Sequence, residues 1–559
     1  MVDQPYTLDD SGLWFQGDGE RIWLSSPLKV VGRTRNPYGV EHGLLLRWKD
    51  PDDQDQQLVV PAELLADDGK ELRRQLLFRG LKLATSLKAR RLFLAWIAHQ
   101  RPEHAILTTR DVGWIGGAYV LPDVTIGQGE PIILEGHENE IEEQVSGGID
   151  EWGEFVGYPC GSHDNLIVAI CAAFAGAIIH WTQDDSFGLH FFGGSSIGKT
   201  TLLYVAQSVW GPPTGMHRWR TTANALENIA GSRNDRLLCL DEIAQLDPRH
   251  ASEVAYMLGN GKGKHRATKE GGAIQERKWR LIYLSTGEIS LSEYVESNGG
   301  RMKGGMEVRH LDVPADTGEN GVLNKLFSGE TAKGVVDALR NNTQTCFGAV
   351  GREWVSHIQK DPMGAVDRIE RDRKTFVTAN LNPKLEPIKN GQLLRVCERF
   401  ALLAGVGEEI TRIGFTGWKE DFAMLACLRV FHKWMEARGG NHSFEHVQAV
   451  KKVREFIVRH GDSRFEAQRG QEAVVRDRAG VWKTRPDDQG REYLFFPDVF
   501  VREVCEGIDP QEVLKALADR GYLRRGDGKN LAVKERVPGA HHPCRMYAVQ
   551  NTILTGRGD

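Results

Sequence analysis

The feature that most constrains this chain is an eight-residue stretch, Gly-Gly-Ser-Ser-Ile-Gly-Lys-Thr, at positions 193–200. It matches the G-x-x-x-x-G-K-[ST] pattern, and it lies between an apolar run at 187–192 and a segment, 201–210, that can form a helix. In such a strand–loop–helix unit the glycines let backbone N–H groups turn inward and the helix amino terminus adds positive potential, so the loop favours bound phosphate. The pattern predicts a site for ATP and Mg²⁺, with Lys199 contacting phosphate and the Thr200 hydroxyl ligating the metal. The predicted site residues are Gly193, Ser195, Ser196, Ile197, Gly198, Lys199, Thr200 and Thr201.

A second motif lies about forty residues downstream, where the apolar run Leu-Leu-Cys-Leu at 237–240 ends in Asp241 and Glu242. A short uncharged apolar run of this kind is typical of a buried strand. At the end of such a strand, Asp241 is expected to hold Mg²⁺ and Glu242 to polarise the water that attacks the terminal phosphate. Two acids that merely end a strand at the surface are the alternative. The phosphate loop upstream favours hydrolysis over nucleotide binding alone.

Composition bounds the remaining interpretation. The 559 residues are 40% hydrophobic and 26% charged, which predicts a protein of several domains, and the net charge of −5 excludes one that coats nucleic acid with its whole surface. The eight cysteines form no C-x-x-C pair and are expected to be reduced, as in the cytoplasm. No secretory signal is seen, and the apolar run at 166–179 is too short to span a membrane, so we expect a buried helix there and no membrane partner.

One local patch is strongly basic, although the chain is acidic overall. Between 260 and 280 seven basic residues stand against two acidic ones. The sequence Lys-Glu-Gly-Gly at 269–272 has the composition of a hairpin turn, so the flanking segments 264–268 and 273–279 are predicted to pair. The patch is either a nucleic-acid contact or a solvated charged hairpin, and charge pattern alone leaves both open.

These motifs and the local sequence patterns divide the chain into four predicted regions. Residues 1–155 combine short strand-like segments with a helix at 86–99, which predicts an α+β domain whose core holds Trp14, Trp23, Trp48 and Trp114. Residues 156–320 alternate strands and helices, which predicts a parallel sheet and an α/β P-loop core. Residues 321–440 are predicted to form a helical lid. Residues 441–559 suggest a winged-helix-like domain, with Arg524, Arg525, Lys529 and Lys534 on its wing, although packing or partner docking explains those residues equally well.

These motifs together resemble the AAA+ ATPases, and within them the MCM-like, self-loading replicative helicases of phages and mobile elements. The resemblance is carried by the phosphate loop, the Asp241-Glu242 strand and three further stretches, at 219–227, 256–263 and 284–291. These stretches look like a branch long labelled only as a domain of unknown function. The resemblance covers most of the chain and is most specific between 190 and 315.

The resemblance implies roles for further residues. Thr286 corresponds to the sensor that follows the fourth strand, and Arg309 to the arginine finger given to a neighbouring subunit, with Arg301 as the alternative. Arg395 is the candidate for a second sensor in the lid, with Arg399 as the alternative. The basic hairpin would project into the channel of a homo-oligomeric ring, a hexamer in this family, where Lys269 at its tip, Lys264 and Arg266 would bind single-stranded or forked DNA.

The function expected from this resemblance is that of an ATP-dependent, ring-forming DNA helicase or translocase in the replication of a phage or mobile element. Two rival interpretations use the same ATPase residues. One is a remodeller or loader that acts on a protein partner, and the other is a nucleotide-gated regulator. The Asp241-Glu242 pair disfavours the regulator, because a regulator needs no group to activate water.

Overall fold

The structure is a computed structural model, and it describes most of the 559 residues. The described ranges are 5–17, 19–66, 68–136, 144–264, 266–267, 273–274, 276–299, 304–380, 391–438, 444–468, 475–484, 490–506, 508–527 and 530–555.

In the amino-terminal region, the described residues up to 136 form three sheets and two α-helices. Strands β1–β3 form an antiparallel sheet, β4–β7 and β11 form a mixed sheet in the order β11-β7-β4-β5-β6, and β8–β10 form a third. Helix α2 begins where the Ser86 hydroxyl accepts a hydrogen bond from the Ala89 N–H, and its apolar face packs on the first two sheets. The elements are β1 (Tyr6–Asp9), β2 (Gly12–Gly17), β3 (Glu20–Ser25), β4 (Leu28–Arg35), β5 (Gly43–Lys49), β6 (Asp55–Pro61), α1 (Lys70–Phe78), α2 (Leu87–His99), β7 (Ala105–Thr109), β8 (Gly113–Ile115), β9 (Ala118–Val120), β10 (Thr125–Ile126) and β11 (Ile132–Leu134).

The four tryptophans expected in one amino-terminal core lie in different places. Trp48 is buried there, whereas Trp14 and Trp23 are half-buried. Trp114 belongs to the core of the next region, because its indole N–H donates to the Ala177 carbonyl at 2.7 Å and its backbone N–H to Asp235 at 3.0 Å. The β8–β10 sheet therefore packs on the central region.

The central region contains a five-stranded parallel sheet with helices on both faces. The strand order is β13-β14-β17-β12-β18, and every neighbouring pair is parallel. This confirms the α/β class with a parallel sheet. Because β17 lies between β14 and β12, the segments that follow these three strands meet at one edge. The elements are α3 (Ile149–Trp152), α4 (Tyr158–Cys160), α5 (Asp164–Thr182), β12 (Phe187–Phe192), α6 (Lys199–Gln207), β13 (His217–Arg218), α7 (Ala223–Ser232), β14 (Arg236–Asp241), α8 (Pro248–Asn260), β15 (Arg266–Ala267), β16 (Ala273–Ile274), β17 (Leu281–Gly287), α9 (Leu291–Ser297), α10 (Gly304–Glu307) and β18 (His310–Pro314).

Helix α5 is longer than its apolar sequence indicated. It runs for 19 residues, so the length argument against a membrane span was wrong. It is the one candidate span among the described residues, and 83% of its apolar window is buried inside the protein, as expected for a core helix.

Between β18 and residue 438, the described residues form five helices. Helix α14 packs tightly between α5 and α15, since a Cβ at Gly407 would lie 2.4 Å from the Ala423 Cβ and 2.6 Å from the Cys171 Sγ. All eight cysteines lie in the described ranges, and none forms a disulfide. The helices are α11 (Ala332–Asn342), α12 (Ala349–Lys360), α13 (Pro362–Asn380), α14 (Gly391–Arg412) and α15 (Phe422–Arg438).

The carboxy-terminal region has more sheet than the sequence indicated. Its sheet runs β19-β20-β21-β24-β22, and β23 also pairs with β24. The predicted wing from Arg524 to Lys534 is not a hairpin of two strands paired with each other, because β22 and β23 each pair with β24. The elements are α16 (Phe444–His460), β19 (Phe465–Ala467), β20 (Gly480–Thr484), β21 (Arg491–Phe495), α17 (Pro497–Val499), α18 (Pro510–Asp519), β22 (Leu523–Arg524), β23 (Val533–Glu535), β24 (Cys544–Val549) and α19 (Thr552–Thr555).

Candidate active site

The loop between β12 and α6 has the backbone shape that its glycines predict. Gly193 and Gly198 have φ values of 155° and 96°, in the region that favours glycine. A Cβ at Gly198 would lie 2.9 Å from the Val322 side chain, so the loop has no room for a larger residue there. Ser195 and Ser196 are exposed at the rim, Ile197 and Thr200 are half-buried, and Thr201 is buried in the first turn of α6.

A second segment, 315–323, supports this loop through backbone hydrogen bonds. The Ala315 N–H donates to the Phe192 carbonyl at 2.8 Å, and the Val322 N–H donates to the Ile197 carbonyl at 3.0 Å. Gly321 has a φ of 64°, and a Cβ there would lie 2.4 Å from the Ile197 carbonyl oxygen. Nothing in the sequence pattern assigned this segment a role, so its support of the loop was missed.

The substitution Gly321→Ala is therefore expected to weaken ATP binding, because its methyl group must push the phosphate loop away. We expect a rise of about tenfold in Kd, or about 1.4 kcal/mol, measured by fluorescence titration with a labelled ATP analogue. Gly329→Ala is the matched control, since Gly329 also has a positive φ, of 89°, but its Cβ would meet open space. Equal effects of the two substitutions would contradict a role of Gly321 in supporting the loop.

Lys199 lies where the acidic residues of the predicted site surround it. Its ammonium donates to the carbonyls of Gly193 and Gly194 at 2.8 and 2.6 Å. Burial lowers the pKa of Lys199, and the nearby charges of Glu242, Glu288 and Asp241 oppose that shift. Glu288, which follows β17 and was given no role from the sequence, therefore belongs to the same cluster.

Thr286 connects the two acids at the end of β14. Its hydroxyl donates to Asp241 Oδ1 and accepts a hydrogen bond from the Glu242 N–H at 3.2 Å. Glu242 itself has φ 60° and ψ 81°, an uncommon backbone conformation for a residue other than glycine. Strained residues of this kind cluster at functional sites, where the surrounding structure holds them in place. Thr286 thus helps to hold Glu242 in that conformation.

Ser285, which precedes Thr286 in β17, faces the interior. Its hydroxyl oxygen accepts the Trp219 indole N–H at 2.8 Å and lies 2.9 Å from His190 Nδ1. His190 Nε2 lies 3.0 Å from the Ile289 carbonyl, which can only accept, so Nε2 carries the proton and Nδ1 accepts from Ser285. Neutral His190 thereby holds the segment 285–289 at both ends, a role that nothing in the run at 187–192 revealed.

This histidine makes stability depend on pH. Complete burial lowers the pKa of His190 to about 4, whereas an unfolded histidine titrates near 6.5. As the pH falls from 6.5 to 4, the unfolded chain binds a proton at this histidine but the folded chain does not. The free energy of unfolding therefore decreases by about 3 kcal/mol relative to its value above pH 6.5. His190→Gln should lose less over this window, measured as the thermal midpoint against pH, with the exposed His250→Gln as control. Parallel curves for the parent and His190→Gln would contradict this assignment.

Arg309 lies at the amino ends of the parallel strands, whereas the phosphate loop lies at their carboxyl ends. It immediately precedes β18, whose His310 pairs with Gly188 and whose Pro314 pairs with Phe192. The length of these strands separates Arg309 from the loop by on the order of 15 Å. Its guanidinium donates to the Gly305 carbonyl at 2.8 Å and lies 5.5 Å from the ring centre of Tyr256, which is 46% exposed.

The two candidates for the second sensor lie on the Arg309 side as well. The Arg399 guanidinium is 4.7 Å from the ring centre of Phe187, at the start of β12, and burial lowers the pKa of Arg399 to about 10. Arg395 is exposed one turn earlier on α14. Neither arginine has a recorded contact with its own phosphate loop within the described ranges. Arg301, the alternative finger, lies outside those ranges.

The basic hairpin is described only near its base. Strands β15 and β16 pair antiparallel, with Arg266 opposite Ile274, and the exposed Lys262 lies opposite the exposed Lys278. Lys264 forms an ion pair with Glu253 at 2.8 Å. Lys269, the predicted tip, and the side chain of Arg266 lie outside the part of the chain that the structure describes.

An open cavity of about 650 Å³ adjoins the carboxyl ends of β13 and β14. Asp241 and the Arg218 side of β13 form one wall, and Tyr204 of α6 forms another. Asp241 is therefore reachable from the surface on the side away from β18.

Comparisons with known proteins agree with this architecture. The sequence model of a family described as "Domain of unknown function (DUF927)" matches residues 6–279, just under half of the chain. No curated protein matches the sequence. The solved structure "SCCmec type IV Cch - active helicase" superposes with a TM-score of 0.73 at 16% identity, over 99% of both chains. The likeness shows a shared fold along the whole chain.

A second solved structure, "The A form apo structure of NrS-1 C terminal region-CTR", covers 68% of this chain and 87% of its own at 9% identity. Its TM-score is 0.27, too low to relate the two folds.

Proposed function

We propose that this protein is an ATP-dependent DNA helicase or translocase of the AAA+ class. The observation that carries the proposal is the convergence of Lys199, Asp241, Glu242 and Thr286 at one edge of a parallel sheet. A fold shared over 99% of the chain with a protein titled an active helicase supports it. The DUF927 match and the stretches at 219–227, 256–263 and 284–291 support a setting in the replication of a phage or mobile element.

The residues at this edge fit ATP and a divalent cation. The glycine loop provides a cradle that a Cβ would fill, Lys199 provides a cation beside it, and Thr200 and Asp241 provide the hard oxygen ligands that Mg²⁺ prefers. When bound, Mg²⁺ neutralises charge on the phosphate oxygens. Glu242 accepts a proton from the attacking water. Thr286 fixes the positions of Glu242 and Asp241 relative to each other through its two hydrogen bonds.

The site needs a second subunit to be complete. Arg309 cannot reach its own phosphate loop across the sheet, but a neighbour packed head to tail presents it to the next site. Arg395 lies on the same side of the sheet and accompanies it in the proposal. Head-to-tail contacts of this kind close into a ring, and we propose a hexamer, with the helices after β18 as the lid of each site and a winged-helix-like carboxy-terminal region.

The basic hairpin couples this ATPase to DNA in the proposal. Lys269 and Arg266 reach the strand, and the opposed Lys262 and Lys278 add positive charge at the hairpin base. Lys264 contributes less than the sequence suggested, because Glu253 already compensates its charge.

The proposal is tested by ATP turnover with and without single-stranded DNA, together with particle mass by light scattering with and without ATP. A helicase is expected to turn over faster with DNA and to assemble with ATP. Turnover that ignores DNA favours a remodeller of a protein partner, and absence of turnover favours a regulator.

A further inference from the structure

We propose that the hairpin formed by β23 and β24 binds the sugar-phosphate backbone of DNA through Lys534, Arg536 and Arg545. The inference rests on the proposed function, and it assigns a second DNA contact that lies in another region of the chain from the basic hairpin at 264–276.

The first observation is a pair of like charges placed face to face. Lys534 on β23 lies directly opposite Arg545 on β24, and both side chains are exposed. Residues paired in this way have Cβ atoms about 5 Å apart, and like charges in such positions destabilise the strand pair. A bound anion between them would remove that repulsion.

The second observation is that the hairpin's own carboxylate is turned away from this face. Glu535 bonds to Lys483 and Arg524 inside the sheet, at 2.6 and 2.5 Å. Burial alone would raise the pKa of Glu535, but hydrogen bonds from Lys483, Arg524 and Gln468 outweigh it and hold that pKa below its usual value. The ionised Glu535 is thus already neutralised and cannot compensate Lys534 or Arg545.

Arg524 was predicted as a wing residue, and the same network removes it from that role. It makes a paired contact with Glu492, at 2.8 and 3.0 Å, and Glu492 is almost completely buried. Lys529, also predicted for the wing, lies outside the described residues.

The loop that connects β23 to β24 adds one further cation and no carboxylate. Arg536 is exposed just beyond β23, and residues 536–543 contain neither aspartate nor glutamate. No carboxylate in the described ranges forms an ion pair with Lys534, Arg536 or Arg545. Val533, Val537 and Met546 are buried on the other face, so the hairpin is held firmly while its cations point to solvent.

This arrangement fits an extended polyanion better than a small anion, because three cations are spread along two strands and a loop. Contacts from lysine and arginine to a phosphate backbone need no base recognition, as expected for a protein that moves along DNA. Because the whole chain has a net charge of −5, this positive patch does not result from an overall basic composition.

The test uses the full-length protein without nucleotide and two probes, a labelled 30-base single strand and the matching duplex, in anisotropy titrations over a range of salt. In the double variant Lys534→Gln/Arg545→Gln, loss of two phosphate contacts should reduce the salt slope by about 1.4 for the single strand or about 1.8 for the duplex. At 0.1 M salt that corresponds to binding weakened about 25-fold or about 60-fold. The probe that shows the change identifies the form of DNA bound.

Arg459→Gln/Lys515→Gln is the matched control, because it removes the same charge from two exposed positions on the helices of the same region. The thermal midpoint gives a second readout. Removing the opposed charges should raise it slightly, and Lys534→Glu, which creates an ion pair with Arg545, should raise it further while weakening DNA binding. If Lys534 and Arg545 served only to stabilise the fold, their substitution would lower the thermal midpoint.

If the parent binds DNA and the hairpin variants bind with parental affinity and slope, the inference is overturned and the patch has a different partner, such as an acidic protein surface. An equal loss in the control pair also overturns it. If the parent binds neither probe, the inference is overturned, and the helicase proposal is decided separately by ATP turnover with and without single-stranded DNA.

Discussion

Glu242→Gln is expected to retain ATP but to hydrolyse it at least about 100-fold more slowly, since general-base catalysis contributes about 10²–10⁴-fold. The amide keeps the size of the carboxylate but cannot accept the proton of the attacking water. Lys199→Ala is expected to lose nucleotide binding as well, because Lys199 contacts phosphate before the reaction begins. Turnover and the retention of labelled ATP on a filter separate the two effects.

Glu353→Gln is the control for this pair, as Glu353 makes a surface ion pair with Lys360 on α12. Parental hydrolysis by Glu242→Gln would show that Glu242 is not the general base. Glu288, which lies in the same acidic cluster around Lys199, would then be the next residue to test.

Arg309→Ala is expected to reduce ATP turnover by about 10³-fold or more, the range measured for arginine fingers. The sharper test mixes Arg309→Ala subunits with Lys199→Ala subunits. In well-mixed head-to-tail rings, about a quarter of the interfaces join an intact Lys199 to an intact Arg309, so turnover should partly recover. The mixture and each variant alone are compared in the same ATPase assay.

The matched control mixes Lys199→Ala with the double variant Lys199→Ala/Arg309→Ala, which can never form an intact interface. Recovery in this control would show contamination or subunit exchange with parent protein. Absence of recovery in the test mixture would favour Arg301 as the finger, or action of Arg309 within its own subunit.

The sequence predicted the local backbone around the candidate site. A glycine pattern fixes backbone conformation within a few residues, and the positive φ values of Gly193 and Gly198 follow from it. The apolar run before Asp241 also predicted a buried strand. A central parallel strand is buried on both faces, so its consecutive residues are apolar.

The carboxy-terminal region shows where such prediction stops. The segment 522–534 contains two short strands, but their partner is β24, which begins ten residues after Lys534. Pairing depends on which strand is nearest in space, and a short strand does not specify its partner in its own residues. Arg524 was therefore predicted to lie on a wing, with DNA contact and packing equally open, whereas it is held by Glu492, 32 residues away in sequence.

The sequence by itself determined the backbone of the glycine loop, the buried strand that ends at Asp241, the α/β class and the position of the basic hairpin, because each is set by neighbouring residues. Tertiary structure alone decided which distant groups meet. Strand order brought Thr286 to Asp241 and Glu242, and strand length separated Arg309 from its own loop. It also placed His190 against Ser285 and Lys534 opposite Arg545, since such contacts arise from packing between elements far apart in the chain.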